Sequence, residues 1–240
     1  MYVPNKHENH LRNVFSQILL LAIPLTLLTL VVIPTQQAYA QEAGIRLLNQ
    51  CENGAYPQWL DEDGTPKDTV TYKIILKAPS IRESQIDAIR EGIERWDGFV
   101  YNIEEVSADE EADIVITVAI RPKLEAPQVA GNTEGVGRIS SWVETGDTCT
   151  ATAGDVILGM KGGSAARRDT TALANLATHE FGHALNLGHS NYEQDIMYVR
   201  PHGANHQWAQ RDYCPSNLDV EALTAQESPY FVEDWQELNC

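Results

Sequence analysis

The segment THEFGHALNLGHS, from Thr178 to Ser190, sets three histidines and one glutamate at regular intervals. His179 and His183 are four residues apart, so on an α-helix they lie within about 40° of each other and both imidazoles reach one point. A helix that presents two zinc ligands requires this spacing. Glu180 lies about 100° round from His179, close enough to touch a water on the metal and too far round to be a natural third ligand. The segment therefore predicts a zinc site in which Glu180 is a general base toward that water.

The third histidine needs a separate explanation, because a tetrahedral catalytic zinc has three protein ligands and one open position. His189 lies six residues beyond His183, which on a continuing helix would mean about 600° of rotation and about 9 Å of rise. The helix must therefore end between them, and the chain must turn back through a residue that accepts left-handed dihedral angles. Asn186 stands at that position, where asparagine is second only to glycine in tolerance, and Gly188 adds a second flexible point. We expect a left-handed backbone at Asn186.

The same segment, followed by Met197 in DIMY, resembles the metzincin zinc metalloproteases, whose motif is H-E-x-x-H-x-x-G-x-x-H with a Met-turn downstream. Ser190 after the third histidine and the Met197-Tyr198 pair are most similar to the matrixin branch, the matrix metalloprotease type of catalytic domain. Upstream, the segments TYKIILKAPS, IDAIREGIERWDGF and EADIVITVAI stand in the order of such a domain. The resemblance extends over residues 70–226, and its most specific part is the His-to-Met segment.

The resemblance implies a zinc metalloendopeptidase that hydrolyses peptide bonds through a zinc-bound water activated by Glu180. One catalytic zinc would be bound by His179, His183 and His189, and Met197 would lie in a turn beneath the metal. Glu180 would take the proton of the water and pass it to the leaving amine. The alternative is a zinc-stabilised secreted binding or adhesion module with the same fold and little or no turnover. Glu180 favours the enzyme, because a module that needs only the metal has no use for a base beside it.

The resemblance also implies how a substrate binds and where the chain departs from the family. An extended peptide or protein would add as a strand to the predicted edge strand Val136–Val143, and Tyr198–Pro201 would wall the pocket for the side chain after the scissile bond. Asn186 replaces the turn glycine of the family. Residues 120–135 lack the His and Asp ligands of a second, structural zinc, so we expect one zinc only. No PRCGxPD motif precedes the domain.

Hydrophobic periodicity predicts a mixture of strands and helices, and the resemblance implies that they form an α+β, α/β-like zincin fold. Strands are expected at Val70–Ala78, Ala112–Ile120, Val136–Val143 and Gly154–Met160. Helices are expected from about Ser80, from an N-cap at Asp169, and over Asn217–Gln226. The first helix joins the first two strands in a βαβ unit, whose strands are parallel, and the second strand is expected to be buried on both faces. Together with these elements, the resemblance implies a mostly parallel twisted sheet with one antiparallel edge strand, a long active-site helix, a second packing helix and a C-terminal helix. The Thr- and Gly-rich link over residues 144–153 is interpreted as a loop.

The chain divides into three parts. An apolar run followed by the small residues AYA at Ala38–Ala40 is typical of a signal peptide over residues 1–40, so we expect a secreted, periplasmic or extracellular protein. An uncleaved membrane anchor is the alternative, because the run approaches the ~20 residues that span a bilayer. Residues 41–69 form an irregular lead-in or a short pro-segment, and residues 70–240 form the catalytic domain with its C-terminal tail.

The net charge indicates which classes of binding partner are disfavoured, and the cysteines indicate disulfides. The net charge of −17 disfavours nucleic acid and anionic lipid, and we expect a monomer without stable membrane association after signal cleavage. The four cysteines, an even number in an exported chain, predict two disulfides, with three possible pairings: Cys51, Cys149, Cys214 and Cys240. Cys51 covering the zinc is the weaker alternative.

Two further pairs of residues are candidate metal ligands. Asp147 and Asp155 could serve a calcium ion in the loop region. His202 and His206 could form another metal site, although two histidines alone in a loop are more often solvent-facing.

Overall fold

The architecture is built on a five-stranded sheet with the strand order β3-β2-β4-β6-β5. Its strands are β2 (Thr69–Leu76), β3 (Asn102–Glu105), β4 (Ile114–Ala119), β5 (Gly135–Thr145) and β6 (Thr148–Gly159). All neighbours pair in parallel except β5, which is antiparallel to β6 and has no other partner among the described strands. The computed structural model describes residues 43–77, 79–119, 135–159, 169–198 and 211–240, and the predicted signal peptide lies outside them. The predicted parallel sheet with one antiparallel edge strand is confirmed.

The predicted βαβ unit contains one strand more than expected. Helix α1 (Glu83–Glu94) follows β2, but the chain then forms β3 before it reaches β4. The sequence of β3 is NIEE, and most of it is exposed, so no apolar alternation marked it as a strand. Burial of β4 alternates along the strand. One face of β4 is therefore fully buried and the other only half-buried, which corrects the expectation of cover on both faces.

The loop predicted over residues 144–153 is wrong. Strands β5 and β6 continue as one long hairpin whose last pair is Thr145 and Thr148, and the chain reverses at Gly146, where φ is 60°. Threonine is a good strand residue because its branched side chain fits a pleated surface, and Cys149 is buried in this arm. Pairing across the hairpin outweighs the Gly and Thr content that suggested a loop.

Helix α2 (Thr170–Ala184) occupies the centre of the molecule, and Asp169 caps its N-terminus by accepting the Ala172 backbone N–H. It crosses α1 so closely that a Cβ on Gly92 would lie 2.1 Å from the Ala174 carbonyl oxygen. The Thr178 hydroxyl donates to the Gly92 carbonyl at 2.8 Å. Glycine at this crossing therefore allows the two helices to touch backbone to backbone.

A small second sheet was not predicted. Strand β1 (Ala43–Ile45) pairs in antiparallel fashion with β7 (Tyr230–Val232), and helix α3 (Asn217–Ala225) precedes β7 at the predicted place. Each strand has only three residues, too few to show a period. The N-terminal and C-terminal ends of the described chain are thus joined.

Two disulfides are present, as predicted. Cys51 is bonded to Cys149 and Cys214 to Cys240. The first ties the lead-in to the β5–β6 hairpin and removes Cys51 as a cover for a metal. In the part of the chain that the structure describes, no helix is long and apolar enough to cross a membrane.

Candidate metal centre

Helix α2 carries the first two histidines and the glutamate on its last two turns. His179, Glu180 and His183 are all buried, with 5%, 6% and 7% of their surfaces exposed. The Nε2 atoms of the two histidines lie 3.1 Å apart. The spacing of four residues therefore brings the two rings to one point, as the sequence predicts.

The helix ends in a tight left-handed turn at Asn186, where φ is 88°. The Asn186 N–H donates to the His183 carbonyl at 3.1 Å, and the Leu187 N–H donates to the Gly182 carbonyl at 3.0 Å. These two bonds are those of a Schellman motif, in which the left-handed residue stops the helix and reverses the chain. The left-handed backbone expected at Asn186 is confirmed.

The reversal returns His189 to the helical pair. Its ring centroid lies 5.3 Å from that of His179 and 4.8 Å from that of His183. One nitrogen from each of the three rings falls within 4.8 Å of the other two. Within the described ranges, this is the one group of three or more His, Cys, Asp or Glu side chains that could hold a metal.

The surroundings of the buried rings fix their protonation. Nδ1 of His179 contacts the Ile196 carbonyl at 2.7 Å, and Nδ1 of His183 contacts the Leu187 carbonyl at 2.6 Å. A carbonyl only accepts, so each Nδ1 carries the proton and each Nε2 is the ring nitrogen that can bind a metal. Burial lowers the pKa of His183 to about 4, and partial desolvation lowers that of His189, which lies at an exposed position; both shifts favour the neutral ring.

The Nε2 atoms of His179 and His183 approach to 3.1 Å, a separation at which both can bind one metal ion. Neutral imidazole is the form that binds a metal, and a ring whose other N–H is held by a carbonyl is the usual arrangement at a zinc site. Three nitrogen donors with no fourth protein donor in the group match a zinc ion with one open position. The residues present therefore fit zinc.

Glu180 is pressed against the edge strand. Burial raises the pKa of its carboxyl to about 8, and a backbone hydrogen bond from Gly137 partly offsets this rise. A Cβ on Gly137 would lie 1.6 Å from the Glu180 carbonyl oxygen, and one on Gly135 would lie 2.6 Å from the Glu180 side chain. Sequence reasoning missed both glycines, although alternate glycines in a strand signal a close approach of another element.

A turn over residues 195–198 supports the site from below the helix end. The Sδ atom of Met197 is so close to α2 that a Cβ on Gly182 would meet it at 2.5 Å. The Met197 carbonyl accepts the Ser190 N–H at 3.0 Å, and the Met197 N–H donates to the Asp195 carboxylate at 2.6 Å. Met197 therefore connects the helical histidines with the turn that carries His189.

Asp195 is a structural residue of this turn that the sequence did not reveal. It is fully buried, and its second carboxylate oxygen accepts from the Ser216 hydroxyl at 2.8 Å and from the Trp235 indole N–H at 3.0 Å. Asp195 is the first residue of DIMY, but nothing in the sequence indicated its structural role, because these two partners lie at the N-cap of α3 and in the C-terminal tail.

The other candidate ligands have different outcomes. Asp147 lies in the hairpin turn, and Asp155 forms an ion pair with Arg138 at 3.5 Å, so calcium at this pair is not supported. His202 and His206 lie outside the described residues, as does most of the predicted pocket wall.

A sequence model of the matrixin family matches residues 63–213, which is more than half of the chain. The chain belongs to the matrixin family. This matrixin is therefore a zinc metalloprotease of the metzincin group, as the sequence indicated. No curated protein matches its sequence.

Among solved structures, this matrixin is similar to archaemetzincin from Methanopyrus kandleri. The two are 14% identical with a TM-score of 0.46, and the match covers 66% of the matrixin and 96% of the archaemetzincin chain.

Proposed function

We propose that this matrixin is an exported endopeptidase with one catalytic zinc. The observation that carries the proposal is the convergence of His179, His183 and His189, whose ring nitrogens lie within 4.8 Å of one another, with Glu180 buried on the last two turns of α2. His179, His183 and His189 would hold the metal. When bound, zinc polarises the scissile carbonyl and lowers the pKa of its water ligand.

Glu180 acts as the general base. A general base works best when its pKa lies near the working pH; burial raises the pKa of this carboxyl in the metal-free protein, and a zinc ion bound beside it would lower that pKa again. Glu180 takes the proton of the attacking water and delivers it to the nitrogen of the leaving amine, so one proton moves from the water to the product. The walls that orient Glu180 for this transfer are the backbones of Gly135 and Gly137.

The substrate is an extended stretch of peptide or protein. Strand β5 pairs with β6 on one side and with no other described strand, which leaves an edge whose N–H and C=O groups can pair with an added strand. The same strand touches Glu180 through Gly135. A peptide added along this edge therefore passes directly over the general base. Tyr198, after the Met197 turn, would form part of the pocket for the residue that follows the scissile bond.

We also propose that the protein is exported and monomeric. Two disulfides are typical of proteins in oxidising compartments, and the AYA site at Ala38–Ala40 would release the chain there. The net charge of −17 opposes attachment to anionic membranes.

The test is a zinc and cleavage assay on purified residues 41–240 and on its Glu180→Ala variant. We expect about one zinc per chain in both proteins and cleavage of a diverse peptide library by the parent only. Zinc in both proteins with no peptide cleaved by the parent would favour the binding or adhesion module. Absence of bound zinc from the parent would contradict the proposed metal site itself.

A further inference from the structure

The turn that carries His189 is paired with the N-terminal segment of the described chain. We call residues 44–49 the N-terminal clasp and residues 186–191 the ligand turn. Leu47 and Leu187 form an antiparallel bridge. The Leu48 N–H donates to the Asn186 carbonyl at 2.8 Å, and the Gly188 N–H donates to the Arg46 carbonyl at 2.5 Å. The clasp is therefore an added strand along the ligand turn.

The pairing holds the ligand turn on both sides of His189. Beyond the histidine, the Asn191 side chain accepts the Gly44 N–H at 2.7 Å, and the Asn191 N–H donates to the Gly44 carbonyl at 2.9 Å. Before it, a Cβ on Gly188 would lie 2.5 Å from the Arg46 carbonyl oxygen, so the two backbones touch there. His189 lies between two fixed points, and the clasp provides both.

The clasp is itself anchored in the fold. Ile45 is 1% exposed and belongs to β1, which pairs with β7. The Leu47 N–H donates to the Ser228 hydroxyl at 3.1 Å, and a Cβ on Gly44 would meet the Phe231 ring at 2.4 Å. Through the clasp, His189 is therefore held in place relative to the C-terminal part of the domain.

Asn186 has a second task that glycine could not perform. Its Oδ1 accepts the Asn49 backbone N–H at 2.9 Å and the Asn49 side-chain N–H at 3.0 Å, and Asn186 is 1% exposed. Glycine would satisfy the left-handed turn equally well. Only a side chain with an acceptor can also fasten the clasp to the turn.

We propose that the N-terminal clasp is a permanent positioning element for His189, with Asn49 and Asn186 as the positioning residues. This inference rests on the proposed function, since it assigns His189 to the metal. The clasp is then part of the mature enzyme and not a removable pro-segment. Cleavage inside residues 44–49 inactivates the protein, because the third ligand is no longer held.

The test measures release of zinc from chain 41–240 into a chelator in three variants. Asn186→Gly removes all three side-chain bonds to Asn49 and a fourth to the Pro57 carbonyl, and leaves the turn unstrained. Asn49→Ala removes one of them. Asn53→Ala is the matched control, because the Asn53 side chain also ties the lead-in to another element, through the Gly146 and Thr148 carbonyls, but far from the ligand turn in sequence.

We expect zinc to leave Asn186→Gly about tenfold faster than the parent, in the range seen when groups that orient metal ligands are removed. Asn49→Ala should show a smaller acceleration and Asn53→Ala none. The cobalt(II) absorption spectrum, which reports ligand geometry, should change for Asn186→Gly and not for Asn53→Ala. Equal zinc release from Asn186→Gly and the parent, or equal acceleration by Asn53→Ala, overturns the inference.

A second measurement is the N-terminal sequence of active, zinc-loaded protein isolated from full-length expression. We expect every active species to retain residues 44–49. A fully active species that begins after Asn49 overturns the inference and leaves the proposed function standing. A parent that binds no zinc contradicts the proposed function instead, so the two failures are distinguishable.

Discussion

The two halves of the metal centre are held by different kinds of interaction. His179 and His183 are placed by one local rule, the rotation of a helix over four residues. His189 is placed by a turn whose key contact joins Asn186 to Asn49, which lie 137 residues apart. The comparison teaches that the sequence shows both the helical spacing and the reversal at Asn186, but not the distant contacts that hold the turn in place. Where the chain leaves the helix, distant segments decide the geometry.

The largest effect on activity is expected from removing the general base on helix α2. Replacing Glu180 with Ala removes the general base and leaves the three histidines in place. We expect kcat to fall by about 10²–10⁴ with zinc content unchanged, measured on the best peptide of the library. A kcat within a few-fold of the parent value would show that another residue is the general base.

The contact between the helical half and the edge strand gives the next effect. Gly135→Ala places a methyl group 2.6 Å from the Glu180 side chain, so the carboxyl must shift. A misplacement of about 1 Å can cost about 10²-fold in rate, and we expect kcat to fall by up to that factor while zinc is retained. Ser84→Ala, at an exposed position of α1, is the control. An unchanged kcat for Gly135→Ala would show that the strand does not position the base.

The two halves should also differ in how they contribute to the metal-free fold. His183→Ala leaves the Leu187 carbonyl, in a fully buried residue, without its partner at 2.6 Å. We expect about 1–3 kcal/mol of lost stability from this bond. His189→Ala, at an exposed position, should change stability by no more than about 0.5 kcal/mol. Urea unfolding of both zinc-free variants measures the difference, and equal losses would remove the distinction.

Substitutions that strain the backbone at Asn186 test the turn that carries His189. Asn186 has a φ of 88°, a region that costs a β-branched residue about 1–2 kcal/mol. We expect Asn186→Val to unfold at lower urea and to lose zinc because His189 is displaced, whereas Asn186→Gly should fold normally. Comparison of zinc content and unfolding midpoints for both variants checks this expectation. Full zinc retention by Asn186→Val would contradict the account of how His189 arrives.

Most of the fold could be predicted from the sequence, because its long elements carry clear periods. The apolar stripe of α1, the cap at Asp169 and the β-branched runs of β2 and β4 each marked an element that the structure contains. The missed elements are short or polar. β3 is NIEE, and β1 and β7 have three residues each, so pairing with distant partners alone makes them strands.

The parts of the site that follow from helix geometry could be predicted from the sequence. The histidine spacing and the left-handed Asn186 follow from helix geometry. Gly135 and Gly137 on the edge strand, and Asp195 in the Met197 turn, were missed, because the partners that define their roles lie far away in the chain. The role of the Asn186 side chain was hidden for the same reason. Its Oδ1 accepts hydrogen bonds from Asn49, in a segment that the sequence indicates only as an irregular lead-in.

The most direct test of the zinc site is X-ray absorption at the zinc K-edge of the purified chain 41–240. We predict three imidazole nitrogens at about 2.0–2.1 Å and one further oxygen from solvent, the pattern of an open catalytic site. Two imidazoles, or four ligands all supplied by protein, would contradict the claim that a helical pair and a turn histidine hold one zinc with one position free.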